Sequence, residues 1–233
     1  MDEGKWQALS KEVEGWPRGQ RSNFVTNFLR DLIVVGDIPP GERVNERVLT
    51  ERLGISRTPL REAFKILEGE GLLSIRPNAG ATVVRLSPED VEDALEILIG
   101  LESIGAERAV ERATPEIIEE IAELDARMRE AFECRELMEY FRINQEIHQR
   151  IIDAAQNEAL SRVYSSESAR IRRFRFAGNR DHARWARAVA EHAQILDALR
   201  RREGPLLREL LRAHHRAGWK IARKALELPE KSP

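Results

Sequence analysis

The stretch Asn45–Phe64, NERVLTERLGISRTPLREAF, limits the possible folds more than any other part of the chain. It reads as two short helices joined by a tight turn at Gly54. Asn45 is a candidate N-cap for the first helix and Ser56 for the second, and Pro59 falls in a first turn, where its missing N–H is not needed. Arg57, Thr58 and Arg61 cluster at the start of the second helix. Basic and hydroxyl side chains on the first turns of a helix that follows a tight turn are what a helix-turn-helix requires. Such a helix points its N-terminal end into the major groove, where these groups reach phosphates and base edges.

The flanks extend this unit. Val25, Phe28, Leu29, Leu32 and Ile33 recur at three- and four-residue spacing and predict a helix over 21–35, stopped by the Pro- and Gly-rich stretch Gly36–Gly41. After Gly69-Glu-Gly71, two β-rich runs, 72–76 and 81–85, are separated by Pro77-Asn-Ala-Gly80 and predict a hairpin. Three helices and a hairpin make a winged helix-turn-helix over 18–86. Residues 1–17, ending in the breaker cluster Gly15-Trp-Pro-Arg-Gly19, are expected to form a flexible arm.

From Ser87 the pattern changes. Ser87-Pro-Glu-Asp90 is a helix start signal. About six amphipathic helices follow, with breaks near Thr114-Pro115, Glu133–Arg135, Ala155–Asn157, Gly178-Asn179 and Glu203–Pro205. The fold expected is mainly α: an N-terminal winged helix-turn-helix, then an antiparallel all-α bundle over 87–226 and a short tail, 227–233. Leu95, Leu98, Leu101, Ile117, Ile121, Leu124, Ile147, Ile151, Ile195 and Leu199 are the candidate bundle core.

Charge supports one nucleic-acid-binding part rather than two. The whole chain carries a net −2, but Arg18–Arg85 holds 11 Lys/Arg against 8 Asp/Glu, leaving the remainder acidic. No apolar run approaches the roughly 18 residues that would cross a bilayer, and the start lacks the order of a secretion signal. A lone Cys134 cannot form an internal disulfide and suits a reducing compartment. A cytoplasmic protein without membrane contact is expected.

All five histidines lie after residue 147. Asn144 and His148, four apart, share a helical face. His192 and His214 lie 12 before and 10 after Gly204, where Gly204-Pro205 breaks the chain, so two antiparallel helices joined there carry them at similar height. Three imidazoles and an amide oxygen converging inside a bundle form a sensible set for Zn²⁺, or for Ni²⁺ or Mn²⁺. The other reading is of partly buried polar residues on amphipathic helices. Of the remaining histidines, His215 is expected to face solvent and His182 to sit in a loop.

These features together resemble the GntR family of bacterial transcription regulators. The matching residues are Pro40-Gly41, Asn45-Glu46, the run Leu53–Ala63, Leu67–Leu72 and Arg76–Gly80. Residues Tyr140–His148, Asn157–Leu160, Glu191–Leu199 and His214 resemble the family's FCD ligand-binding domain, in the branch of the fatty-acid and gluconate regulators. The resemblance implies a homodimer on a palindromic operator, controlled by a small organic acid that enters the helical domain, most often as a repressor. It carries DNA contacts onto Arg47, Arg57, Thr58, Pro59 and Arg61 and, at the wing, Asn78 and Gly80. Ala79 stands where the family commonly has Arg.

The resemblance also places a metal on Asn144, His148, His192 and His214, with Asn144 where Asp is common. No carboxylate would then offset the ion's charge, which favours an anionic ligand. Leu98 stands where many members carry an Arg that meets the effector. The cluster Arg170–Arg175, and within it Arg172, Arg173 and Arg175, could replace it, or could be a solvated basic face. Two readings from other classes stay open: a metal-dependent enzyme using the three-His site, and a helical interaction module with degenerate DNA binding. The sequence shows neither His-Glu-x-x-His nor a nucleophile elbow to support the enzyme.

Overall fold

The computed structural model describes residues 12, 13, 15–17, 20–76 and 80–226. The chain divides into two compact units, Met1–Leu86 and Ser87–Pro233.

In the first unit, α1 (Arg21–Val35) ends at Gly36, whose φ of 96° lets its N–H reach the Leu32 carbonyl. Two residues, Arg43–Val44, form β1. Helix α2 (Glu46–Leu53) is capped by Asn45, which accepts from the Val48 N–H, and Gly54 closes it at φ 64°. Helix α3 (Arg57–Gly69) follows. Ser56 stands at its N-cap with extended backbone, but its side chain makes no capping bond. Strands β2 (Leu73–Arg76) and β3 (Gly80–Val83) pair antiparallel from Leu73↔Val83 to Arg76↔Gly80. β1 adds to the other edge of β3, with Arg43 opposite Thr82, so the sheet order is β1-β3-β2. The hairpin of the sequence reading is thus a three-stranded sheet; a two-residue strand is too short to show any periodicity.

Leu29, Ile33, Leu53, Leu60, Leu67 and Leu73 form the centre of this unit's core. Val13 joins it, fully buried, although its segment was expected to be a loose arm. The rest of that arm up to Lys11, the wing residues Pro77, Asn78 and Ala79, and the tail lie outside the described residues.

The second unit contains seven helices among the described residues rather than six: α4 (Pro88–Arg112), α5 (Pro115–Glu133), α6 (Leu137–Asp153), α7 (Glu158–Arg170), α8 (Arg172–Gly178), α9 (His182–Arg200) and α10 (Gly204–Ala225). Ser87 and Asp90 form a reciprocal capping box at the start of α4. The additional helix arises at Ile171, where the backbone leaves helical geometry. The break lets short α8 bury Phe174 and Phe176, two residues apart and so on opposite sides of a helix. Helix α10 packs against α4, α8 and α9, and α6 against α4, α5 and α7. Gly178 and Gly218 allow the α8–α10 contact: a Cβ at Gly178 would lie 2.7 Å from the Gly218 carbonyl oxygen. Leu98, Ile121, Ile147, Ile151, Ile195 and Leu199 are buried as expected, as are Leu95 and Leu124. Leu101 and Ile117 are only half-buried, and Ile118 takes the core position beside the Thr114 cap.

Candidate DNA interface and histidine centre

The cap at Asn45 and the turn at Gly54 set α2 and α3 so that a row of cations faces solvent. Arg47 is 78% exposed, with Glu51 3.8 Å away on the same helix. Arg57 and Arg61 are similarly exposed and share one carboxylate: Glu46 Oε1 lies 3.8 Å from Arg57 Nε and accepts from Arg61 Nε at 3.0 Å. Thr58 is exposed, Pro59 half-buried in the first turn, and Gly80 exposed at the wing with φ +79°. Exposed ion pairs of this kind contribute about 0–1 kcal/mol, so the guanidinium groups are only weakly held by these carboxylates. Glu46 was legible only as part of a motif; its place beside both α3 arginines requires the turn geometry.

The second unit holds a buried imidazole cluster. His148 (α6), His192 (α9) and His214 (α10) are all buried, and each offers a ring nitrogen within 4.8 Å of the others. His148 Nδ1 bonds Glu102 Oε1 at 3.0 Å, leaving Nε2 buried without a partner. His214 Nδ1 bonds Glu191 Oε2 at 2.7 Å. His192 Nε2 accepts from the Asn144 amide at 2.8 Å. Carboxylates on the far nitrogens of two rings fix the tautomer that exposes a lone pair to the cluster, as around protein-bound zinc. A tetrahedral zinc holds its nitrogens ~3.3 Å apart, within reach of small ring rotations. The residues therefore fit a divalent ion, with Asn144 able to supply its oxygen after a half-turn of the amide.

Two expectations fail here. His215 is not on the surface: it is buried on α10, enclosed because α4 packs on one side of that helix and α8 and α9 on others, and its Nε2 donates to Glu102 Oε2 at 2.6 Å. His182 is not in a loop but is the first residue of α9, exposed and against Phe132 rather than the cluster. The centre also has a carboxylate after all. Glu102, from α4, accepts from His148, His215 and the Tyr164 hydroxyl. Burial pushes its carboxyl up, but His215 and His148 outweigh that and hold it well below the usual range. Burial pushes His148 down to about 3 and His214 down to about 4, against the pull of Glu102 and Glu191 respectively. His192 is pushed well below its ordinary value by burial and then by its neighbouring imidazoles. All three rings are thus neutral and able to act as ligands near pH 7.

A cavity of about 40 Å³ adjoins the cluster, lined by Asn144, His214 and His215 together with Arg175, Asn179 and Arg184. That is room for a few water-sized groups. Of the three arginines singled out in the sequence, only Arg175 lines it, with Nη1 donating to Ser168 Oγ. Arg173 instead lies over the Phe174 ring, and Arg172 does not reach the cavity wall. Arg184 was missed. It is buried, donating to Glu191 at 2.7 Å and to the His214 carbonyl at 3.1 Å. Its only sequence signal is a cation on the same stripe as the apolar Ala188 and Ile195.

Residues 21–83 match the bacterial regulatory proteins of the gntR family, and residues 93–217 match the FCD domain. The chain belongs to the GntR family. As a GntR-family chain with an FCD domain it is a DNA-binding transcription regulator, not an enzyme. The uncharacterised HTH-type transcriptional regulator YdhC of Bacillus subtilis is 28% identical over 192 residues, 81% of this chain and 84% of that one. The HTH-type transcriptional repressor RspR of Escherichia coli is 26% identical over 206 residues, 88% and 90% of the two chains. Among solved structures, E. coli McbR/YncC superposes with a TM-score of 0.76 at 23% identity, covering 88% of this chain and 98% of that one. This GntR-family fold has no helix, among the described residues, long and apolar enough to cross a membrane.

Proposed function

We propose that this regulator is a cytoplasmic, metabolite-responsive repressor that binds a palindromic operator as a homodimer and is governed by a small carboxylate in the helical domain. The ligand would lie in the cavity beside a divalent metal held by His148, His192 and His214, with Asn144 as a fourth donor. The observation that carries the reading is the cluster of three neutral imidazoles, one of which, His214, lines with Asn144 a cavity whose wall also presents Arg175 and Arg184. A bound divalent ion would supply a positive centre for one carboxylate oxygen, and Arg175 would supply a second. Glu102, through His148, offsets part of the ion's charge from behind the ligand shell. A repressor role is supported by RspR, which carries that name and aligns over most of both chains.

Support for a homodimer comes from α4, which exposes Ile97 (50%) and Ile104 (51%) with Gly100 between them on one face. An open groove between α4 and α10 adjoins that face; Arg216, Lys220 and Lys224 line one wall and Glu92 and Glu96 the other, so a second copy can match both signs.

The test is metal analysis of the purified full chain, followed by thermal melts with small organic acids in the presence and absence of Zn²⁺ and a chelator. The expectation is one bound metal per chain, lost in His192→Ala, and a melting temperature raised by an acid only when metal is present. Metal-free wild-type protein whose melting ignores zinc, chelator and acids alike refutes the reading.

A further inference from the structure

The outer face of the small sheet in the first unit is unaccounted for by the recognition helix or the wing tip. Alternate strand residues point to opposite faces. Val44, Leu73, Ala81 and Val83 enter the core. The register then puts Arg43, Ser74, Arg76, Gly80 and Thr82 together on the other face, with Arg43 opposite Thr82 and Arg76 opposite Gly80. Both arginines are exposed. No acidic residue shares these positions.

Four other arginines of this unit are tied to carboxylates, Arg30 to Glu70, Arg47 to Glu51, and Arg57 and Arg61 to Glu46, while Arg85 donates to the Pro40 carbonyl. Arg43 and Arg76 have no carboxylate partner among the described residues. Arg43 nevertheless holds a defined direction. Its Nε and Nη2 lie 3.3 Å from where a Cβ on Gly80 would sit, so its guanidinium leans across the middle strand toward the strand that carries Arg76. Glycine at position 80 is what leaves that path open; its φ of +79° also disfavours any larger residue. Two exposed cations on one sheet face, beside glycine and hydroxyl side chains and without a carboxylate partner among the described residues, form an acceptor site for external negative charge. The two edge strands lie two strand spacings apart, about 10 Å. Long side chains at that separation can close on the two walls of a minor groove about 6 Å wide.

We propose that this sheet face is a second phosphate-gripping surface of the DNA-binding unit, carried by Arg43 and Arg76, with the Ser74 and Thr82 hydroxyls as neutral donors. It holds the backbone without reading bases, and it supplies positive charge to a unit whose sequence has Ala79 where the family commonly has Arg.

The experiment measures binding of the full chain to mixed-sequence duplexes by fluorescence anisotropy between about 50 and about 200 mM salt. Arg43→Gln and Arg76→Gln should each flatten the slope of log K against log salt by about 0.9 per bound chain, and weaken every duplex by the same factor. Arg43→Lys keeps the charge and should keep the wild-type slope. Arg187→Gln, on α9, is the control and should change nothing. Unchanged slopes in both Gln variants, with unaltered melting, overturn the proposal. So does an Arg43→Lys variant as flat as Arg43→Gln, which would mark a structural role. A wild type that binds no duplex at any salt would instead overturn the DNA-binding role of the unit itself.

Discussion

Glu102→Ala tests the centre of the helical domain most directly. Glu102 is 2% exposed, and its two oxygens accept three hydrogen bonds, from His148 Nδ1, His215 Nε2 and the Tyr164 hydroxyl. Removing the carboxylate leaves three buried donors on three helices without acceptors. Each such loss costs about 1–3 kcal/mol, while desolvation of the carboxylate is no longer incurred. The net expected is about 4 kcal/mol, in line with removal of one partner from a buried ionic network. For a unit of this size that lowers the melting temperature by about 8–16 °C. The assay is calorimetry of chelator-treated protein, so that loss of metal does not contribute. Mixed-sequence DNA binding by the first unit, measured well below the transition, should be unaffected. Glu102→Gln, which still offers one acceptor, should fall between wild type and Ala. A melting temperature within about 2 °C of wild type for the Ala variant, worth under about 1 kcal/mol, refutes the network argument.

Four further outcomes follow from the geometry. The folded state excludes protons from His148 and His214 down to about pH 3 and 4, whereas the unfolded chain takes them up below about 6.5. Stability of the metal-free protein should therefore be full above pH 6.5 and fall as pH drops through that window, by up to about 1.4 kcal/mol per unit for each buried ring. Urea midpoints that stay level from neutral pH to pH 5 would contradict this. Gly178→Ala should cost about 1–3 kcal/mol by driving a methyl into the Gly218 carbonyl oxygen, read as a lowered urea midpoint at constant m-value. Arg57→Ala, an exposed position, should abolish preference among selected duplexes while leaving circular dichroism and melting unchanged; retained preference would remove Arg57 from the reading helix. Glu46→Gln should slow dissociation from non-specific duplexes in stopped-flow measurements, and an unchanged rate would show that the carboxylate does not compete with DNA.

How much of this was legible in the sequence depended on whether a residue's role is local. Asn45, Gly54, Ser87 and Asp90 act within a turn or a cap, so spacing alone located α2, α3 and α4. Ser56 looked equivalent to Asn45 but makes no capping bond, a difference of side-chain direction that composition does not encode. His148, His192 and His214 were legible from one i,i+4 step and from similar distances on either side of a helix break. Glu102 and Arg184 were not, because a charge on an amphipathic helix reads as solvent-facing unless its partners are known. Glu102 stands on the stripe of Leu98, Gly105 and Ala109, which was a signal, but His148, His215 and Tyr164 come from three other helices. His215, one step around α10 from His214, is buried only because neighbours enclose that helix on more than one side.

The carboxylate shared by Arg57 and Arg61 bears on how the reading helix searches. Off DNA, both guanidinium groups already have an anion in Glu46, so a random phosphate offers them an exchange of partners with little net gain. A guanine edge offers more, because O6 and N7 present two acceptors in the plane of one guanidinium fork. The helix therefore carries its own competitor. If α3 reads DNA through these two arginines, encounters with the wrong sequence would end quickly, and long residence would be confined to sites where the base edge displaces the resident carboxylate.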